Sequence, residues 1–249
     1  MKLDVLAIGA HPDDAELGCG GTLALLAGQG RKVGILHLTR GELGTRGTAA
    51  ERRAEAERAA AALGAVELDF LDCGDGALRN GPAEEEALIE ILRRWRPDLI
   101  LGPTPRDRHP DHARAHALVE AASFYAGLAN RAMKAGPPHR PAAVFSYMQH
   151  DLFAPSFIVD VTAAWEAKME SLRAYRSQLH QPDQDAGQEE NQEDGQPVTK
   201  VSTPDFRFAV EGRARHFGLL IGATFGEPFW TRLPLAVADP TSILPGGVR

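Results

Sequence analysis

The chain has 249 residues, 43% of them apolar and 24% charged, ordinary for a globular protein with a full core, one large α/β domain being as compatible as two small ones. Its formal net charge of −7 gives no support for nucleic-acid binding, which usually shows a basic face. Two cysteines, Cys19 and Cys73, make no disulfide framework; no charged-then-apolar leader opens the chain and no apolar run reaches membrane-spanning length, so a soluble cytoplasmic protein is expected.

The first apolar run, residues 3–9, has the length and composition of a buried parallel strand. It ends in Ala10-His11-Pro12-Asp13-Asp14, and Gly18-Cys19-Gly20-Gly21 then leads into a helical pattern at 22–27. Residues 32–38 read as a second strand running into a glycine-rich loop, 39–47. A helix is expected over 51–63, with Glu/Arg pairs three and four apart on its wet side. A third strand at 67–71 precedes a Gly/Asp turn at 73–76, and a helix over 84–95 is stopped by Pro97. A short strand at 98–102 leads to Arg106-Asp107-Arg108-His109-Pro110-Asp111-His112 and a helix over 112–130. Further strands are expected at 144–148 and 157–161, and helices over 162–179, with Thr162 a candidate cap, and 206–220. Residues 181–197 are too polar to bury themselves and read as a mobile surface loop. The segment 228–249, apolar and proline-bearing, suits packing on another surface. Strand and helix alternate four times, which predicts a Rossmann-like, mostly parallel sheet with helices on both faces, in a single domain over 1–249.

Strands of such a sheet deliver their C-terminal residues to the crevice where ligands bind. His11 and Asp14 offer an imidazole and a carboxylate on one turn, and His112 could add a third ligand. Two histidines and one carboxylate leave a position open for water, the arrangement catalytic zinc requires. Asp13 cannot easily point the same way as Asp14 and is left over for chemistry. Each motif has a plainer reading, with His11 a hydrogen-bonded strand-end histidine and Asp13-Asp14 or Asp111 a helix cap. A cap needs only one carboxylate, however, and the pattern recurs after two strands on one edge of the sheet. A dinucleotide fingerprint fails, because His11 stands where its second glycine belongs and carboxylates follow where an anion would bind. Gly20 and Gly21 fit close packing of the first helix or close approach to the metal loop, and Cys19 a small buried residue. His37 and His116 read as structural, while His150, just past a strand, is a candidate for the cleft wall.

With Ala10-His11-Pro12-Asp13-Asp14-Ala15-Glu16 and His109-Pro110-Asp111-His112 both in hand, the chain resembles the LmbE-like, or PIG-L, family of metal-dependent deacetylases, up to about residue 225. The resemblance implies zinc held by His11, Asp14 and His112, although mixed N/O ligation also accepts iron, cobalt or manganese. It implies Asp13 as general base, His109 as donor of a hydrogen bond or proton to the oxyanion, and Asp111 orienting or charging the His109 ring. The reaction implied is hydrolysis of an N-acetyl sugar to acetate and the free amine, in a homo-oligomer, trimer or hexamer. Arg52 matches an arginine that family members direct at the substrate, and Gln178 matches a recurring pattern. The spelling of residues 10–21 looks most like the branch that deacetylates N-acetylglucosaminyl malate in bacillithiol synthesis, where Arg52 and Arg108 would fork onto the malate carboxylates. Acetylated chitobiose is the alternative substrate. One departure stands out: the tyrosine hydroxyl that some relatives bring to the oxyanion is matched here by Phe206, which has no donor. Two readings from other classes remain, a non-haem iron oxygenase, which has no use for an unligated Asp13, and a non-catalytic metal- or sugar-binding protein.

Overall fold

In β1 (Val5–Gly9) every residue is buried, as both faces of a central parallel strand must be. Leu6 and Ile8 join one apolar core while Val5 and Ala7 join another, so the two-residue period of the strand feeds two layers at once. The structure is a computed structural model that describes residues 1–180 and 197–239. Most of the expected surface loop, 181–196, and the end of the chain, 240–249, lie outside the described residues.

The remaining strands are β2 (Val33–His37), β3 (Glu67–Phe70), β4 (Leu99–Gly102), β5 (Ala143–Tyr147), β6 (Phe157–Asp160) and β7 (Gly226–Trp230). They form one sheet in the order β3-β2-β1-β4-β5-β7-β6. The first five are parallel, with Val5 in register with both Val33 and Leu99. β7 runs antiparallel to β5 and to β6. This is the single-domain, mostly parallel α/β sheet that the alternating pattern predicts.

Helices α1 (Asp14–Gly28), α2 (Ala49–Ala62), α3 (Pro82–Trp95), α4 (Pro110–Tyr125), α5 (Trp165–Arg173) and α6 (Pro204–Leu220) cover both faces. α3 and α4 lie over Leu6 and Ile8; α1 and α2 lie over Val5 and Ala7, with α5 packed against both. Thr48 starts α2 with a reciprocal cap: Glu51 N donates to its hydroxyl at 3.2 Å, and Thr48 N donates to the Glu51 carboxylate at 2.8 Å. No helix among the described residues is long and apolar enough to cross a membrane.

Besides α4, which ends at Tyr125 rather than at residue 130, three boundaries differ materially from expectation. α1 begins at Asp14, so the glycines expected before the helix lie inside it. A Cβ on Gly18 would fall 2.1 Å from the Tyr147 ring, and one on Gly21 2.8 Å from Val161. The glycines thin the helix face so that it can sit on the sheet, which outweighs their poor propensity. The helix expected over 162–179 is a 3₁₀ turn, Thr162–Ala164, followed by the shorter α5. Thr162 caps neither; its hydroxyl accepts from Thr224 N and Phe225 N, each at 3.2 Å. Finally, residues 228–230 belong to the sheet, with Phe229 fully buried and stacked on Phe157. Pro228 hid this strand; it lies beyond the end of the β5 ladder, where its missing N–H breaks no bond to β5.

Candidate active site

Strand order reverses between β1 and β4, and at such a switch point the loops leaving the two strands diverge and open a crevice. The loop after β1 brings His11, Asp13 and Asp14 to it, and the loop after β4 brings Arg108, His109 and His112.

The two adjacent carboxylates are separated by the backbone. Asp13 occupies the N-cap of α1 with φ +101°, a state that L residues rarely adopt, and its side chain makes no cap bond. Its carboxylate instead lies 3.5 Å from the Arg52 guanidinium. Asp14 turns inward, accepting from His11 N at 2.9 Å and from the Gln149 side-chain amide. It sits 3.5 Å from His11 Nδ1 and 3.4 Å from His112 Nε2. Burial pushes the Asp13 pKa up to about 7, Arg52 opposing and Asp14 assisting. Burial also penalises Asp14, but His112 and His11 hold it well below the usual carboxylate range.

The donor set asks for positive charge. His112 Nδ1–H donates to Asp107 Oδ2 at 3.0 Å, so a neutral ring would aim an Nε2 lone pair at Asp14. His11 Nε2 is buried without a hydrogen-bond partner, 3.1 Å from Asp75 Oδ1 and 3.4 Å from Asp111 Oδ2. Burial disfavours charge on both rings, yet Asp14 and Asp107 raise His112 to about 9. The carboxylates of Asp111, Asp14 and Asp75 around the ring likewise carry His11 well above its ordinary value. Imidazoles surrounded by carboxylates, one with an orphaned nitrogen, fit a divalent transition ion that would replace the ring protons. His109 belongs to the same cluster: ring nitrogens of His11, His109 and His112 lie within 4.8 Å of one another, as do donor atoms of His11, Asp75 and Asp111.

His109 has a fixed proton. Its Nδ1 accepts from Asp111 N at 3.2 Å and caps α4, so the neutral ring carries its hydrogen on Nε2. Burial, with His11 and His112 nearby, lowers its pKa and keeps it neutral. The Asp111 carboxylate makes no bond to this ring, although Asp111 was expected to orient or charge it; only its backbone N–H holds the ring. Its carboxylate accepts from Gly76 N at 2.7 Å and from Arg114 at 2.8 Å and faces His11. Residues two apart in a helix's first turn diverge, which places Asp111 on the far side of the cap.

The PIG-L family, GlcNAc-PI de-N-acetylase, matches residues 6–123, a span that carries both of these loops. The chain is 36% identical over 190 residues to the diacetylchitobiose deacetylase of Thermococcus kodakarensis, covering 70% of each protein. It belongs to the PIG-L family. The crystal structure of the conserved protein TT1542 from Thermus thermophilus matches at a TM-score of 0.82 and 36% identity, over 95% of this chain and 98% of that one. A further relative, 29% identical over 70% of this chain and 74% of its own, is the 4-oxalmesaconate hydratase of Pseudomonas putida.

The fold gathers His11, Asp13, Asp14, His109 and His112 in one cleft, with Arg108 exposed at its rim. Arg52 also lines the cleft, but its guanidinium is engaged with the chain itself, donating to the carbonyls of Pro12 and Gly41 beside Asp13. Gln178 donates to the Arg46 carbonyl at 2.6 Å and steadies the loop after β2. Phe206 stands behind His150, ring centroids 6.2 Å apart. His150 lines the cleft as expected and stacks on His112 at 5.9 Å. His37, as expected, is structural, donating from Nδ1 to the His11 carbonyl at 3.1 Å. Sequence reasoning missed Asp75, Asp107 and Gln149. Asp75 and Gln149 follow β3 and β5, so the strand-end rule that found His11 would have flagged them had it been applied to every parallel strand.

Proposed function

We propose that this PIG-L chain hydrolyses the N-acetyl group of an N-acetylglucosaminyl compound, with a divalent metal, zinc first, held by His11, Asp14 and His112. The observation that carries the reading is the division between neighbouring carboxylates: Asp14 lies between two imidazoles, while Asp13 has no cap bond and faces the same cleft. The bound ion would polarise the amide carbonyl and lower the pKa of the attacking water. Asp13 accepts the proton from that water; its pKa of about 7 suits a general base near neutrality. In its protonated form Asp13 can return that proton to the leaving amine. His109 Nε2–H is a neutral donor that would serve the developing oxyanion, a role that needs no hydroxyl at Phe206. Arg52 anchors the Pro12-Asp13 turn and so fixes where the base stands.

N-acetylglucosaminyl malate is the first substrate to try, because Arg108 is exposed beside the cleft where an anionic group could meet it. Acetylated chitobiose is the second, favoured by the likeness to a diacetylchitobiose deacetylase. The exposed apolar side chains of Leu219, Leu220, Leu233 and Leu235 support assembly into a homo-oligomer, which light scattering would measure. The deciding experiment is acetate release from both conjugates and from N-acetylglucosamine, on protein of measured metal content, with and without chelator. Acetate from none of them would refute the proposal. Turnover of 4-oxalmesaconate in their place would make the chain a hydratase.

A further inference from the structure

The cleft does not end at His150. Gln149 and His150 form one wall of the catalytic cleft and also one wall of a second cavity, open to solvent. The opposite wall of that cavity is α6. Phe206, Val210, Arg213 and Phe217 recur there at steps of three and four residues, the spacing of a single helix face, and Lys200 stands just before the helix.

This cavity is cationic. No carboxylate lines it, while Lys200 and Arg213 both do. Among the described residues Lys200 has no side-chain hydrogen bond or ion pair. Arg213 makes one bond, from Nη2 to the Leu17 carbonyl at 3.2 Å. The carboxylates nearby are already engaged. Asp107 accepts from His112 and from His150 N, and Glu227 accepts from Lys168, Gly21 and Thr22. A half-buried guanidinium without a counter-ion is unfavourable unless something else supplies the negative charge.

We propose that this α6 cavity is the aglycone subsite, and that Lys200 and Arg213 select an N-acetylglucosaminide whose aglycone carries an anionic group. The inference rests on the deacetylase reading of the adjoining cleft. The acetamido group enters among His11, Asp13 and His109, and the aglycone runs past His150 along Phe206 towards the two cations. Their apolar neighbours Phe206 and Phe217 accommodate its carbon skeleton. Arg52, engaged with the turn at Pro12, takes no part in this selection.

The test compares 4-carboxyphenyl with 4-methylphenyl N-acetylglucosaminides, both anomers of each, on the metal-loaded protein and two variants. The native chain should favour the carboxylate in kcat/KM by about tenfold, a preference that weakens with added salt. Arg213→Gln should remove most of that ratio, and Lys200→Met, at an exposed side chain where folding is secure, should reduce it about threefold. Calorimetric binding of 4-carboxyphenyl glucosaminide, the product, should weaken in the same order. A native ratio near one, or a ratio that both variants preserve, overturns the subsite while leaving the deacetylase reading standing. Acetate from neither glycoside, with acetate still released from N-acetylglucosamine, overturns the subsite alone; acetate from none of the three sinks the deacetylase reading and the subsite with it.

Discussion

Two clusters of buried charge lie along α1, and they are finished differently. Towards the middle of the helix, Glu227 from β7 accepts from Gly21 N at 2.9 Å, Thr22 N at 2.7 Å, Thr22 Oγ1 at 2.6 Å and Lys168 Nζ at 2.5 Å. Lys168 also donates to the Leu17 carbonyl at 3.0 Å. Every strong group there is matched, and the pair joins α1, α5 and β7. At the start of the helix the matching is left incomplete: His11 Nε2 and Gln149 Oε1 are buried without partners. Burial of charge does not, then, by itself mark a site. At Glu227 the buried charge is closed by the chain's own groups, whereas the cluster at His11 keeps unmatched atoms at the cleft.

The strongest way to break this contrast is at Asp14. Asp14→Asn should lose the metal and reduce acetate release to that of chelated protein; elemental analysis showing stoichiometric metal in the variant would refute its role as a ligand. Asp13→Asn should keep the metal and lower kcat by about a hundred- to ten-thousandfold. In the native protein kcat/KM should fall as pH drops through the Asp13 pKa, because a base works only when ionised. That value is about 7 from the chain alone, and a neighbouring dication moves it lower. The acid limb should be missing from the Asp13→Asn profile.

At the closed cluster the expected effect is on stability. Lys168→Met leaves Glu227 buried and unpaired, and should cost about 3–5 kcal/mol in chemical denaturation. Metal bound per folded molecule should be unaffected; loss of metal in step with stability would show that the two clusters are coupled. Asp107→Asn sharpens the open side. It weakens the bond that fixes the His112 tautomer, and metal affinity should fall about 10–100-fold by competition with a chelating dye.

The smallest effect concerns Glu16, behind the cleft. Burial raises its pKa to about 7 although the Tyr175 hydroxyl donates to it at 2.7 Å. The unfolded chain then ionises Glu16 at lower pH than the folded chain, so the folded state loses stability as pH rises from about 4.5 towards 7. Glu16→Gln stays neutral, so its melting temperature in chelated protein should gain on the native one over that range and level off above it. A difference independent of pH would mean that Glu16 is ionised throughout.

The sheet and the heart of the cleft were legible because their signals are local. A short apolar run such as residues 99–101 declares a buried strand by its composition. His11, Asp14 and His112 follow two such runs, and parallel strands deliver their ends to one edge. Less legible was anything that depends on what packs against it. Gly18 read as preceding the helix, and Gly21 as either helix packing or metal loop, because the Tyr147 and Val161 side chains that demand them lie more than a hundred residues away in sequence. The segment from Pro228 onward read as packing on another surface because nothing local says that β5 stops short of that proline.

The sequence by itself determined which residues could bind a cation and which strands carry them, since ligand chemistry and strand periodicity belong to each segment alone. Only the tertiary structure decided how those residues are used. The strained turn at Asp13 parts it from Asp14, the cap on α4 fixes the proton of His109, and Arg52, expected to be directed at the substrate, is engaged by the turn at Pro12. Orientation, tautomer and pairing are set by neighbours from distant segments, and only the folded chain brings those neighbours together.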